Sequence, residues 1–198
     1  MRSVDASLFR DVNRLAVHTP WLHPLMSAYA TWTGLVVLGA CLAAAWWRGR
    51  TVASAPTAVS SAAWGLLAAV VAIAVNQPVT HAIGRARPFR ALHGIEVLVA
   101  RPGSFSFPGY QAALAGAILA ALWFSDRRAA VAATIGGALL AFSEIYVGVH
   151  YPADQAAGLA LGAVTAAGLR PVGMAVLLWL TTKVERSPLR RLVAAHRI

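Results

Sequence analysis

Three short segments carry most of the side chains that could do chemistry in this chain. The segments are residues 84–88, 106–111 and 143–154. Their polar and ionisable side chains include Arg85, Arg87, Gln111, Glu144, His150 and Asp154. Arginine binds phosphate through paired hydrogen bonds, and histidine and carboxylates are common acids, bases and nucleophiles. The residue types therefore predict a site for an anionic ligand, provided that the fold brings the segments together.

Long uncharged runs surround these segments and indicate a membrane-embedded chain. Hydrophobic residues make up 59% of the 198 residues and charged residues only 12%, about half the usual share of a soluble domain. Residues 15–47, 51–84 and 102–125 contain no Asp, Glu, Lys or Arg. Each run exceeds the roughly 20 residues that a helix needs to cross a bilayer. A buried core helix could explain one run, but three in so short a chain favour an integral membrane protein.

The apolar runs predict an all-α membrane bundle of five to six spans. The first four spans are expected at about 21–46, 57–79, 108–124 and 129–148. A fifth begins near Pro152, because proline suits the first turn of a helix. Residues 155–182 are interrupted by Arg170 and Pro171. They form either one kinked helix or a span followed by a short sixth helix.

We expect one membrane-embedded domain over residues 1–185, followed by a basic tail over 186–198. Before the first span, Leu8, Val12 and Leu15 recur at helical spacing among charged residues. This pattern predicts an amphipathic helix at the membrane interface. The same stretch is too polar for the apolar core of a signal peptide.

Basic residues set the predicted orientation of the bundle. The net charge is +10, from 17 basic and 7 acidic residues. The arginines cluster between the apolar runs, and this pattern is typical of membrane topology rather than of a nucleic-acid-binding surface. On one side of the predicted bundle lie Arg48, Arg50, Arg127 and Arg128. The positive-inside rule makes that side cytoplasmic. The connection 80–106 and the turn 149–153 then face outward together. Four arginines in that connection break the rule, either because they bind an anion or because they lie at lipid headgroups.

Together the three segments resemble the three signature motifs of the type 2 phosphatidic acid phosphatase superfamily, which also contains the vanadium haloperoxidases. Their order and placement match over about 76–158, and the pattern Tyr-x-Gly-x-His-Tyr-Pro-x-Asp in the third segment is the most specific part. The membrane spans favour the lipid phosphatase branch. The resemblance implies a helical membrane bundle of that kind with a phosphatase site at one face.

The resemblance also implies roles for residues of this chain. His150 matches the nucleophile that takes the phosphoryl group, and Asp154 matches the acid that orients it. Arg87 matches a phosphate-binding arginine, and Ser143 matches the serine that opens the third motif. We expect Arg85 to contribute to phosphate binding as well. A carboxylate beside a neutral imidazole steadies its tautomer, which supports attack on phosphorus.

Four positions depart from the family pattern. Thr80 replaces a lysine, Gly109 a phosphate-binding serine, Gln111 the general-acid histidine, and Glu144 a second phosphate-binding arginine. One lost lysine, one lost arginine and one gained glutamate lower the formal charge of the site by three units. Phosphoryl transfer depends on positioning and electrostatic stabilisation, and loss of general acid catalysis alone costs about a hundred- to ten-thousand-fold in rate. The sequence therefore leaves open whether the chain is a working hydrolase.

Glu144 needs a partner, because an ionisable group near a membrane interior is costly. We expect it to pair with Arg87 or Arg85 and so to fill the anion site from within. The alternative is that Glu144 reaches water in an outward funnel. His81 and His93 are either replacements for the missing acid or ordinary interfacial residues.

Three functions follow from these observations. The first is a divergent phosphatase that acts on, or binds, a lipid or isoprenoid (di)phosphate at the outer face of a bacterial plasma membrane. The second is a catalytically inactive relative that binds a lipid or a partner protein. The third is repurposed isoprenoid-diphosphate chemistry, with Glu144, Asp154 and His150 holding a divalent cation. Because the spacing has no specific metal signature, no metal or cofactor is predicted. The expected partner is a membrane lipid or isoprenoid phosphate and not nucleic acid, and nothing in the sequence indicates an oligomeric state.

Overall fold

The computed structural model describes residues 2–194, and of residues 2 and 3 only the backbone. Its helices are α1 (Arg2–His18), α2 (His23–Ala28), α3 (Gly34–Gly49), α4 (Ala55–Ile83), α5 (Pro88–Ala91), α6 (Tyr110–Trp123), α7 (Arg127–Tyr146) and α8 (Pro152–Glu185). A 3-10 turn before α2 and a π turn after it join α2 and α3 into one stretch, Pro20–Gly49. The end of the predicted basic tail, residues 195–198, lies outside the described residues.

The predicted all-α membrane bundle is confirmed. Within the described part of the chain, four helical stretches are long and apolar enough to cross a membrane, and α6 is a shorter apolar helix. Their bounds agree with the expected spans to within a few residues. The alternative of a separate sixth helix is wrong, because α8 continues through Pro171 as a single helix.

At the centre of the bundle, α6 contacts α3, α4, α7 and α8. Its 14 residues rise by about 21 Å, less than the roughly 30 Å of a bilayer core. The second motif segment lies at the start of this short helix, and Ser106 and Gln111 are buried in the protein.

Two glycines allow α8 to touch α6 through its backbone. A Cβ built on Gly162 would lie 1.8 Å from the carbonyl oxygen of Ala113, and one on Gly158 would lie 2.3 Å from that of Gly109. Small residues one turn apart permit such close crossings of membrane helices. At the same crossing, the amide of Gly109 donates to the carbonyl oxygen of Asp154 at 2.9 Å. This crossing brings the start of α8 against the start of α6.

The N-terminal helix α1 packs across the bundle near α7 and α8. Phe9, Asn13 and Ala16 are buried against the bundle, while Leu8 and Leu15 remain exposed. Residues of α1 are thereby placed beside the motif segments.

Candidate active site

All three motif segments meet at one end of the bundle, opposite the end that carries Arg48 and Arg127. The first segment follows α4, the second precedes α6, and the third joins α7 to α8. Arg87 and His150 are each 1% exposed, Glu144 is 2% exposed, and Asp154 is fully buried. The fold therefore brings together residues that are up to 67 positions apart, from Arg87 to Asp154, in an enclosed polar site.

The contacts of His150 determine its tautomer. Nη1 of Arg87 lies 2.9 Å from Nε2 of His150. A guanidinium can only donate, so Nε2 accepts and the ring proton belongs on Nδ1. Nδ1 faces Oδ2 of Asp154 at 3.5 Å without forming a hydrogen bond. Such contacts commonly tighten when substrate binds. This arrangement places the acceptor lone pair on Nε2, as a nucleophile requires.

Asp154 accepts hydrogen bonds from three other groups. Its Oδ2 accepts from the hydroxyl of Ser106 and from the backbone amide of Tyr151 at 2.8 Å. Its Oδ1 accepts from Nη1 of Arg85 at 2.7 Å. These contacts fix the carboxylate behind the imidazole. Ser106 is a site residue that the sequence analysis missed, although it opens the second motif segment.

Arg85 binds two carboxylates in this structure. Its guanidinium pairs with Asp154 and with Asp5 of α1, and it stacks 4.0 Å above the ring centre of Tyr151. Asp5 also accepts from the backbone amide of Ala153 at 2.9 Å, near the positive end of α8. Phosphate binding by Arg85 stays a prediction, and the observed contacts make it a support of Asp154. The sequence analysis missed Asp5 as a site residue. The feature that could have indicated it is an acidic residue in a basic segment that faces the membrane.

The other N–H groups of Arg87 donate hydrogen bonds to neighbouring protein atoms. Nε donates to the carbonyl of Ser104 at 3.0 Å, and Nη2 donates to the hydroxyl of Ser104 at 2.9 Å. Nη1 also donates to the carbonyl of Val149 at 3.0 Å. Arg87 is thus bound to both the connection before α6 and the turn after α7, and a phosphate must take over some of these contacts.

Neither expected environment of Glu144 is found. Among the described residues Glu144 forms no ion pair with an arginine, and its burial keeps it from bulk water. Its Oε2 accepts from Nε2 of Gln155 at 2.9 Å, and its Oε1 lies 4.0 Å from Nε2 of His150. The amide of Gln155 thus satisfies one oxygen of this buried carboxyl group.

Gln155 links two of the departures from the family pattern. A Cβ built on Gly109 would lie 3.4 Å from the amide nitrogen and oxygen of Gln155, so the missing side chain at Gly109 leaves room for that amide. The same amide binds Glu144. Gln155 directly follows Asp154, yet its position gave no signal because polar residues are common in the first turn of a helix.

Two other departing positions are bound to neighbouring structure. Thr80 donates to Oδ1 of Asn76 at 2.9 Å, and Asn76 donates to the carbonyl of Pro108 at 3.2 Å. The amide of Gln111 donates to the carbonyl of Ala30 and to the hydroxyl of Tyr110, both at 3.1 Å. Gln111 has no proton to give a leaving group, and its NH2 is turned toward these partners.

The remaining candidates form no hydrogen bond with His150 among the described residues. Ser143 is buried, but its hydroxyl donates to the carbonyl of Leu140 on its own helix at 2.8 Å. His81 is exposed and packs edge-on against Phe105, and His93 is exposed as well. Neither histidine hydrogen-bonds to a site residue in the described part of the chain. Over the same residues, no group of three His, Cys, Asp or Glu side chains is arranged to hold a metal ion.

An open, largely apolar groove of about 1090 Å³ lies beside the site. α1 forms one wall, and the end of α4 and the start of α8 form the others. Its lining residues include Leu8, Ile83, Leu92, Ala156 and Arg85. His150 is not among them, so Arg85 and Asp154 stand between the groove and the imidazole.

Comparison with known proteins gives a consistent result. A family model described as the PAP2 superfamily matches residues 61–182. The chain is 27% identical over 151 residues to undecaprenyl-diphosphatase BcrC of Bacillus subtilis (strain 168), covering 76% of this chain and 75% of that protein. It is 29% identical over 94 residues to an undecaprenyl-diphosphatase of Sulfolobus acidocaldarius, covering 47% of this chain and 46% of that protein. The crystal structure of a transmembrane PAP2 type phosphatidylglycerolphosphate phosphatase from Bacillus subtilis has a TM-score of 0.64 at 20% identity, covering 88% of this chain and 87% of that chain.

Proposed function

Because this chain belongs to the PAP2 superfamily, we propose that it hydrolyses an isoprenoid diphosphate at the outer face of a bacterial membrane. The state of His150 carries this proposal. Arg87 marks Nε2 as the nitrogen with the lone pair, and Nδ1 is turned toward the carboxylate of Asp154. Both features suit an imidazole that attacks phosphorus.

The proposed reaction has two steps. Nε2 of His150 attacks the terminal phosphorus, an N–P bond forms, and the P–O bond to the isoprenoid monophosphate breaks. A water molecule then attacks the phosphorus of the phosphohistidine and gives one proton to solvent. The N–P bond breaks, inorganic phosphate leaves, and the lone pair returns to Nε2. Asp154 steadies the Nδ1 proton while the ring is phosphorylated.

Gln111 supports a diphosphate rather than a monoester as the substrate. An alcohol leaving group resembles water, whose pKa is about 16, and it needs a proton as it departs. An isoprenoid monophosphate leaves with a second pKa of about 6 and needs none. Gln111 cannot supply the proton that an alcohol leaving group needs, and its amide donates to Ala30 and Tyr110. The two undecaprenyl-diphosphatase relatives support the same substrate class.

Charge distribution supports the outer face. The end of the bundle opposite the site carries Arg48, Arg50, Arg127 and Arg128. By the positive-inside rule that end is cytoplasmic. The apolar groove beside Arg85 offers a surface along which an isoprenoid chain can lie near the site.

The test is phosphate release by detergent-purified protein. Undecaprenyl diphosphate and farnesyl diphosphate are compared with phosphatidic acid and phosphatidylglycerol phosphate. The wild type and His93→Ala, which removes an exposed histidine on the same side, should release phosphate from the diphosphates. His150→Ala should lose at least about a hundredfold in rate, because the imidazole that attacks phosphorus is removed. A folded wild-type protein that releases no phosphate would reject hydrolysis and favour the inactive, lipid-binding relative.

A further inference from the structure

Besides the donor Nη1 of Arg87, the Nε2 side of His150 has an acceptor atom of Glu144 nearby. Oε1 of Glu144 lies 4.0 Å from Nε2 of His150. Oε1 of Gln155 is buried and has no hydrogen-bond partner, while the amide nitrogen of Gln155 donates to Oε2 of Glu144 at 2.9 Å. A fully ionised phosphate offers only acceptors. It cannot form a hydrogen bond with a carboxylate unless one of the two carries a proton.

Glu144 lies where it must meet the phosphoryl group. Reacting atoms in a near-attack complex are about 3–3.5 Å apart. Oε1 of Glu144 is 4.0 Å from Nε2 of His150, so it is within reach of a non-bridging oxygen of a phosphoryl group placed there. A proton donated from Oε1 to that oxygen acts on binding and not on the leaving group.

We propose that Glu144 binds the substrate as a neutral carboxylic acid, its O–H donating to a non-bridging phosphoryl oxygen, with Gln155 holding the carboxyl in place. This inference rests on the proposed function, because it assigns the phosphoryl group to the Nε2 side. The charged or titratable groups that face Glu144 are His150, Arg87 and Asp154. Burial disfavours an ionised Glu144, Arg87 favours one, and an arriving phosphate anion opposes it. Binding is therefore coupled to proton uptake wherever Glu144 is ionised before the phosphate arrives.

The sign of the pH dependence follows from this coupling. A ligand that binds with one proton gains up to about tenfold in affinity for each unit by which the pH falls, as long as Glu144 is ionised before binding. Glu144→Gln keeps the size of the side chain and an amide partner for Gln155, and it supplies a permanent N–H donor. That variant should bind with no proton uptake at position 144.

The experiment measures the affinity of farnesyl phosphonate, which cannot be hydrolysed at its P–C bond, by calorimetry in detergent from pH 5.5 to 8.5. The phosphonate itself titrates in the same way with the wild type and with each variant. A difference in pH dependence between the wild type and Glu144→Gln therefore reports the side chain at position 144. The wild type and Glu96→Gln, which removes an exposed carboxylate from the outward connection, should show a steeper gain toward low pH than Glu144→Gln. Buffers of different ionisation enthalpy should show up to one more proton taken up by the wild type than by Glu144→Gln.

Equal slopes and equal proton uptake in the wild type and Glu144→Gln would overturn the proposal. A binding signal that disappears in correctly folded Glu144→Gln at every pH would also overturn it, because the amide donor should replace the acid. Phosphate release is measured in parallel. A Glu144-dependent slope without phosphate release would reject the proposed hydrolysis and retain the proton-coupled phosphoryl site, so the two failures are distinguishable.

Discussion

Nη1 of Arg87 donates a hydrogen bond to Nε2 of His150 at 2.9 Å. The arginine that is predicted to bind phosphate thus covers the nitrogen that is predicted to attack it, and both side chains are 1% exposed. Entry of a phosphoryl group must separate the two. Once separated, Arg87 can turn its donor to a phosphoryl oxygen while Ser104 holds the rest of the guanidinium.

Arg87→Lys should lower kcat/KM for the diphosphate by about a hundredfold or more, the usual cost of removing a donor that stabilises a transition state. Lysine presents a single ammonium group and cannot reproduce the planar fork. The matched control is Arg90→Lys, because Arg90 is exposed and its side chain donates to the carbonyls of Pro102 and Gly103, away from His150. Phosphate-release kinetics of both variants decide the matter. An equal loss in the two would contradict a special role for Arg87.

Asp5→Asn should lower kcat by about ten- to a hundredfold, because the charge that holds Arg85 against Asp154 is lost and the imidazole is less well placed. Asparagine retains an acceptor for the amide of Ala153. Asp11→Asn is the control on the same helix, since Asp11 is exposed and pairs with Arg14. Steady-state kinetics on farnesyl diphosphate measure the effect. Unchanged kcat in Asp5→Asn would show that α1 does not support the site.

Gln111→His should raise hydrolysis of a phosphate monoester such as phosphatidic acid by up to about a hundredfold, because it restores a side chain that can protonate an alkoxide. Diphosphate hydrolysis should change much less. Gln77→His places the same residue on an exposed part of α4 and should leave both activities near those of the wild type. If the monoester and diphosphate rates rise by the same factor in Gln111→His, the leaving-group argument fails.

Gly162→Ala should lower the free energy of unfolding by about 1–3 kcal/mol, the usual cost of overpacking, and should reduce activity by separating α8 from α6. The added Cβ would lie 1.8 Å from the carbonyl oxygen of Ala113. Gly168→Ala makes the same change on α8, where a Cβ meets nothing within 4 Å. Thermal unfolding in detergent compares the two. Equal melting temperatures would show that the crossing tolerates a side chain.

Much of the fold could be predicted from the pattern of charge along the chain. Uncharged runs such as 51–84 predict spans because a charged group is costly in lipid wherever the helix later packs. The three motif segments identified the family, which the family model confirms. The path of α8 through Pro171 could not be predicted. A proline removes one backbone donor, and neighbouring helices decide whether the helix ends there.

By itself the sequence determined that this protein lies in a membrane, that it is a helical bundle and to which family it belongs. It also predicted which residues could act on phosphate. Those properties depend on local composition and on short motifs. Only the tertiary structure decided that Arg85 binds Asp5 and Asp154, and that Glu144 binds Gln155 rather than an arginine. Several cations and carboxylates were equally compatible as partners in the sequence. The choice among them follows from burial and from the close approach of α6 and α8, which brings distant residues within hydrogen-bonding distance.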